Sequence, residues 1–170
     1  MKKIILVLMA AGLFSVVNSC GYRFSKSGDI PNGITKLSVN VFENKSSESG
    51  AENFFTTALI NELVHTTNAE IVDKKIADAF IKARIESITF GTLTRKTDES
   101  VSELRVSAVV DLKMFDKSGK VIWSVHNFSD YEDYAVSNSN ISDEAARRGA
   151  VEKIAARIAE KIVSRMRDNF

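Results

Sequence analysis

Cysteine, proline, tryptophan and histidine are scarce in this sequence. Its 170 residues include one cysteine, one proline, one tryptophan and two histidines. A single cysteine excludes an intrachain disulfide, and Cys20, His65 and His126 lie too far apart in the sequence to show metal-site spacing. No glycine-rich phosphate loop stands between a predicted strand and a predicted helix. The composition therefore favours a domain held together by its apolar core, with neither a metal nor a cofactor.

An excess of charge and a long apolar run are also lacking. The formal net charge is +1, which gives no electrostatic argument for nucleic-acid binding. The apolar run over residues 4–17 would be about 21 Å long as a helix, shorter than the roughly 30 Å hydrocarbon core of a bilayer. We therefore expect no nucleic-acid partner and no membrane-spanning helix.

The N-terminus instead has the pattern of an export signal. Lys2 and Lys3 precede the apolar run, and the small residue Ser19 precedes the single cysteine, Cys20. Val17-Asn18-Ser19-Cys20 resembles a lipobox, the site at which bacteria attach diacylglycerol to a cysteine and then cleave before it. An ordinary secretory signal followed by an unpaired cysteine is the alternative.

We accordingly predict a cleaved lipoprotein signal peptide at residues 1–19 and one mature domain at residues 20–170. Residues 20–34 would form a tether and leader, with Cys20 as the lipidation site. Several acyl chains would anchor the protein far more firmly than one. By the known sorting rule for such lipoproteins, Gly21 after the cysteine resembles an outer-membrane address.

Hydrophobic periodicity predicts four strands and two helices. The predicted elements are, in order, a strand at 35–42, a helix at 51–64, strands at 78–92, 104–114 and 121–128, and a helix at 142–167. Residues 43–50 and 129–140 are predicted as polar connections. Apolar residues of both parities in the fourth strand indicate that both of its faces are at least partly covered.

Three local features refine these elements. Ser49 to Glu52 has the pattern of a capping box at the start of the first helix. The apolar parity changes within the second strand, which predicts a β-bulge near Glu86 and Ser87. The stretch from Asp116 to Gly119 is typical of a hairpin turn.

The predicted fold class is α+β. The order β-α-β-β-β-α and the single apolar stripe on each helix favour a two-layer sandwich, with both helices on one face of a four-stranded mixed sheet. The first β-α-β step is expected to be a right-handed parallel crossover, and the remaining strand pairs are expected to be antiparallel.

Catalytic chemistry is not indicated. His65 is interpreted as a helix-end residue and His126 as a sheet-surface residue, so we expect a protein that is not an enzyme. Arg95 and Lys96, on the connection between two long strands, could meet a phosphate by charge-assisted hydrogen bonds. The alternative for this pair is an ordinary solvated turn.

Five short motifs, in order along the mature chain, carry a family resemblance. They are Cys20-Gly21-Tyr22-Arg23-Phe24, Ile30-Pro31-Asn32-Gly33-Ile34, Val39-Asn40-Val41-Phe42-Glu43-Asn44, Ala77-Asp78-Ala79 and Ser118-Gly119-Lys120-Val121-Ile122-Trp123. With this order and spacing, the chain resembles the lipopolysaccharide-assembly lipoprotein family, LptE. One departure is Ala83, where many relatives are expected to have glycine.

The resemblance implies a periplasm-facing lipoprotein of the outer membrane. Such a protein would plug a large β-barrel partner, LptD, help it to assemble, and take part in delivering lipopolysaccharide to the outer leaflet. Arg95 and Lys96 are then hypothesised to approach lipopolysaccharide phosphates, on the basis of their charge and predicted position. An envelope lipoprotein that binds another periplasmic or peptidoglycan-associated partner remains an alternative, and a hydrolase is a more distant one.

Overall fold

The computed structural model describes residue 30 and residues 33–95, 102–136 and 140–168. The predicted signal peptide, Cys20 and Lys96 lie outside these ranges. The elements are β1 (Lys36–Val39), β2 (Glu43–Asn44), α1 (Ala51–Thr66), β3 (Glu70–Ile71), β4 (Ala79–Arg95), β5 (Ser102–Asp116), β6 (Val121–Val136) and α2 (Asn140–Asp168).

The strands form one mixed sheet in the order β3-β1-β4-β5-β6, and β2 pairs separately with β4. β1 is parallel to β4, as predicted for the first β-α-β step, and β4, β5 and β6 are successively antiparallel. The predicted class is confirmed, but the predicted count of four strands is wrong. Six strands are present because β2 and β3 form where the sequence indicated connections. Each has two residues, too few to show a period of two.

The two longest strand predictions are confirmed in their main features. Ile85 and Ile88 of β4 are both buried, and the pairing with β5 shifts between Ile85 and Ser87, where the bulge was predicted. The inward side chains of β5 alternate without a break, from Val106 at 0% exposure to Met114 at 0% exposure. The turn after β5 has Gly119 at φ 85°, as expected for its position.

β6 differs from its prediction in length and in coverage. It continues to Val136, through most of the predicted connection. Val125 pairs with Leu112 and Phe128 pairs with Val110, so a bulge around Asn127, at φ 50°, brings both apolar side chains to the helix-facing side. The mixed parity therefore results from two register shifts against β5, the one around Asn127 and a second between Met114 and Phe115, and β6 is an edge strand whose Val121 is 45% exposed.

α1 buries the predicted stripe, but its N-terminus is not a capping box. Gly50 is the N-cap residue, at φ 85°, and no side chain caps the helix there. The Glu52 carboxylate instead accepts a hydrogen bond from the Asn44 side-chain amide at 2.8 Å. This contact ties the first turn of α1 to Asn44, the last residue of β2.

Both helices cover the same face of the sheet and share one core with it. The buried residues of α2 include Val151, Ile154, Ile158 and Ile162, at the spacing of one helix stripe. They pack with α1 and with the inward side chains of β4 and β5. The opposite sheet face is the open face, and it carries mainly polar and charged side chains.

Candidate interaction site at the distal end of the sheet

Arg95, one of the two residues predicted to bind phosphate, lies at one end of the sheet. There β4 ends at Arg95, β5 begins at Ser102 and β6 ends at Val136, and Ser102 pairs with both of the other two residues. We call this the distal end. Arg95 is the last residue of β4, while Lys96 and Cys20 lie outside the described residues.

A groove of about 440 Å³ opens at the distal end, between the sheet and the first turns of α2. Three strands and one helix provide its walls. The lining side chains are Phe90, Leu104, Tyr134, Val136, Asp143, Glu144 and Arg147. Leu104 and Tyr134 are paired across β5 and β6, so the strand register sets the shape of the floor.

The aromatic side chains of the groove have a fixed arrangement. The rings of Phe90 and Tyr134 meet edge to face, with centroids 6.5 Å apart and planes at 87°. The guanidinium of Arg147 lies 4.1 Å from the Phe90 ring centroid, within the range of a cation–π contact. The groove thus combines an apolar wall with the guanidinium of Arg147 and the carboxylates of Asp143 and Glu144.

Electrostatics at this end centre on Arg147 and Tyr134. Arg147 forms an ion pair with Glu48, which precedes α1, while its Nε is buried and has no hydrogen-bond partner among the described residues. Burial raises the pKa of Tyr134, so its hydroxyl stays protonated at neutral pH. Arg147 therefore joins α2 to the loop before α1 and has one buried donor without a hydrogen-bond partner among the described residues.

This arrangement is suited to binding a ligand whose apolar groups lie against the aromatic wall, while the polar margin holds the Arg147 guanidinium and two carboxylates. In the described ranges, no group of three or more His, Cys, Asp or Glu side chains could hold a metal ion. His126 lies elsewhere, on the open face, with its Nδ1 3.2 Å from a carboxylate oxygen of Asp111. That carboxylate also accepts the Asn127 N–H at 2.7 Å, so it holds the bulge of β6.

Sequence reasoning did not identify the groove. Tyr134 fell within the predicted connection at 129–140, and Phe90 and Arg147 fell within the predicted second strand and second helix without a functional role. A usable signal was present, since Phe128, Tyr134 and Val136 share one parity. Asp130 and Glu132 have the same parity, and these two charged residues interrupt the apolar alternation that would have indicated a strand. Their carboxylates face inward because they form ion pairs with Lys161 and Arg157 of α2.

The described helices do not qualify as membrane spans, since neither α1 nor α2 is both long enough and apolar enough to cross a bilayer. No curated protein matches the chain significantly.

Solved structures with the same fold come from several bacteria. A protein described as a lipoprotein from Caulobacter crescentus is 18% identical, with a TM-score of 0.53 over 75% of this chain and 88% of that chain. An uncharacterised lipoprotein from Nitrosomonas europaea is 13% identical, with a TM-score of 0.52 over 85% and 90% of the two chains. A Xanthomonas campestris protein is 10% identical, with a TM-score of 0.51 over 86% and 88%. Identities this low show a shared fold alone.

The family comparison is more specific. The model of the lipopolysaccharide-assembly family LptE matches residues 34–166, which span the sheet, both helices and the distal groove. The resemblance drawn from the five motifs is thereby confirmed, and the chain belongs to the lipopolysaccharide-assembly family LptE.

Proposed function

We propose that this chain is an outer-membrane lipoprotein that plugs the lipopolysaccharide-translocon barrel LptD, assists its assembly and takes part in lipopolysaccharide delivery. The observation that carries this proposal is the family match over residues 34–166. The role is one of binding and scaffolding, without a chemical reaction of its own.

The anchor of the proposed protein is Cys20. The lipobox pattern at residues 17–20 supports acylation of its thiol, and a periplasm-facing domain would then hang from the membrane by the leader at residues 20–34. Acylation also accounts for the presence of one cysteine in an exported chain, where an unpaired thiol would be a liability.

Lipopolysaccharide is the proposed ligand of the distal end. Its phosphates would meet Arg95 and Lys96, and its apolar parts would meet the wall formed by Phe90, Tyr134 and their neighbours. The position of the groove supports this assignment, because Val136 at its margin is linked through Ser102 to Arg95 in the strand register. Guanidinium and ammonium groups suit phosphate through charge-assisted hydrogen bonds.

Binding of lipopolysaccharide by the double variant Arg95→Ala/Lys96→Ala tests the ligand assignment. We expect weaker binding than for the parent chain, and a shallower dependence on salt, because two charges that face the phosphates are lost. The matched control is Arg148→Ala/Lys153→Ala, which removes two positive charges from α2. If the parent and the Arg95→Ala/Lys96→Ala variant bound lipopolysaccharide equally at low and at moderate salt, the assignment would be overturned.

Affinity purification of the full chain from detergent-solubilised membranes tests the proposed partner. We expect the barrel LptD to co-purify in stoichiometric amount. Recovery of a different periplasmic or peptidoglycan-associated protein, with no barrel, would instead establish the alternative of a general envelope lipoprotein.

A further inference from the structure

The end of the open face opposite the groove carries an apolar row. Phe80, Phe115 and Val121 are partners in register across β4, β5 and β6. The two phenylalanine rings are stacked, with centroids 5.0 Å apart and planes at 10°. Val121 is 45% exposed, and nearby Ile76, in the connection before β4, is 58% exposed.

Lysines surround this apolar row. Lys74 lies 4.2 Å from the Phe80 ring centroid, and Lys82 lies 5.8 Å and 5.5 Å from the Phe80 and Phe115 centroids. Lys82 is also directly opposite Lys113 on the neighbouring strand. Like charges in directly opposed positions destabilise a sheet, so this pair is unfavourable unless an anion lies over it.

These lysines are not neutralised within the described part of the chain. Lys74, Lys82 and Lys113 have no carboxylate within 4.0 Å there. The nearby acids have structural partners. Glu43 and Asp111 line a concavity with Lys82 and Lys113, but Glu43 pairs with Arg84 at 2.8 Å and Asp111 accepts the Asn127 N–H at 2.7 Å. Asp78 pairs with Lys117 at 2.9 Å and accepts the Lys36 N–H at 3.0 Å.

Asp116, in the hairpin between β5 and β6, also forms hydrogen bonds within the fold. Asp116 accepts hydrogen bonds from the Ser118 hydroxyl at 2.6 Å and from the Lys120 N–H at 3.0 Å. Both carboxylates thus hold connections in place, and the lysines around the phenylalanine stack keep an excess of positive charge.

The chain enters the fold at the same end. Ile30 forms a β-bridge with Ile34, and Ile34 lines one concavity together with Asp78 and Lys117. Ten positions separate Cys20 from Ile30. Even fully extended, this segment reaches at most about 36 Å, so a lipid-anchored Cys20 would keep this end of the sheet close to the bilayer.

We propose that the anchor-end patch, formed by Phe80, Phe115 and Val121 with Lys74, Lys82 and Lys113, lies on a membrane surface that bears anionic lipid headgroups. The inference rests on the proposed acylation of Cys20, and it adds a second, non-covalent contact with the same bilayer. Lysines would bind headgroup phosphates, and the exposed apolar side chains would enter the interface between them. This contact would hold the anchor end of the sheet at the headgroups, with the distal groove farther from them.

The first test uses the full lipid-anchored protein in phosphatidylcholine vesicles with and without phosphatidylglycerol. Acylation consumes the Cys20 thiol, so Ile76→Cys provides a unique site for a polarity-sensitive dye. The matched control is Ile141→Cys, at the start of α2 near the groove, where the side chain is 86% exposed. We expect lipids with headgroup-proximal quenchers to quench the dye at 76, only when phosphatidylglycerol is present, and to leave the dye at 141 unaffected.

A second test removes the anchor. The mature chain with Cys20→Ala serves as the unanchored parent. Adding Lys82→Gln/Lys113→Gln should lower its partition coefficient onto phosphatidylglycerol vesicles about 25-fold, because each lysine contributes about fivefold. The double variant should be at least as stable as the parent to urea, because the opposed charges are gone. A loss of binding can then be separated from unfolding.

The outcomes distinguish this inference from the proposed function. Equal quenching at 76 and 141 in a protein whose Cys20 is acylated would overturn the patch and leave the anchor standing. If Cys20 is not acylated, the proposed anchor fails, and equal partitioning onto neutral and anionic vesicles overturns the patch as well. Protection of the dye at 76 by the barrel partner alone, and not by vesicles, would reassign the patch to a protein interface.

Discussion

Arg147 is the side chain whose removal should affect the distal end most. Arg147→Ala deletes a cation–π contact with Phe90, worth about 0.5–1 kcal/mol at an exposed site. It also leaves Glu48 without its cation. The two side chains are 39% and 15% exposed, so the ion pair lies between an exposed pair, worth about 0–1 kcal/mol, and a buried one, whose disruption costs about 3–5 kcal/mol. We expect a total loss of about 2 kcal/mol, and a fall in Tm of about 4–8 °C for a domain of this size.

Urea unfolding of a double-mutant cycle measures this loss. Arg147→Ala, Glu48→Gln and their combination should give a coupling of about 1 kcal/mol, because the two side chains contact each other directly. Arg148→Ala is the matched control. Its guanidinium is 5.2 Å from the Phe54 ring centroid, and it forms no ion pair within the described ranges, so we expect a loss below about 1 kcal/mol. Equal losses for the two arginine variants, or a coupling near zero, would refute this reasoning.

Three further predictions concern the fold around the two ends of the sheet. Leu112→Ala should cost about 2–5 kcal/mol in urea unfolding, because the side chain is 1% exposed at the centre of β5, and a loss below about 1 kcal/mol would contradict its place in the core. Gly119→Ala should cost about 1–2 kcal/mol through its φ of +85° alone, since nothing lies within 4 Å of an added Cβ, whereas the control Gly91→Ala should cost nothing measurable. Lys117 is the main cause that lowers the pKa of Asp78 from 3.8 to about 2, so this carboxylate should stabilise the fold above about pH 4 and lose that effect as the pH falls towards 2. Asp78→Asn should weaken the pH dependence of the urea unfolding midpoint over that interval. A pH dependence equal to that of the parent would contradict the ion pair.

The sequence predicted best the elements whose side chains follow one physical pattern. The inward positions of β5 from Leu104 to Met114 are all apolar, so its alternation predicts a strand directly. β6 broke the pattern twice. A bulge at Asn127 changed the parity, and the inward Asp130 and Glu132 replaced apolar contacts by ion pairs with α2. Those pairs depend on a helix about thirty positions later, which no local window of sequence contains.

The candidate site was predictable only in part for a related reason. Arg95 and Lys96 remain a predicted phosphate site, and Arg95 is the last residue of β4, at the end of the sheet where the groove lies. The groove needs Phe90, Tyr134 and Arg147 together, and they come from two strands and a helix. Their convergence depends on the register of β4, β5 and β6, and periodicity fixes which face a residue takes without fixing its neighbours across the sheet.

Anchoring of this protein in the membrane depends on one sulfur atom, that of Cys20. Mass spectrometry of the natively produced protein should find a chain that begins at Cys20 and carries diacylglycerol on that thiol. An unmodified Cys20 thiol, or cleavage at a position that removes this residue, would contradict the proposal of a lipid-anchored assembly protein.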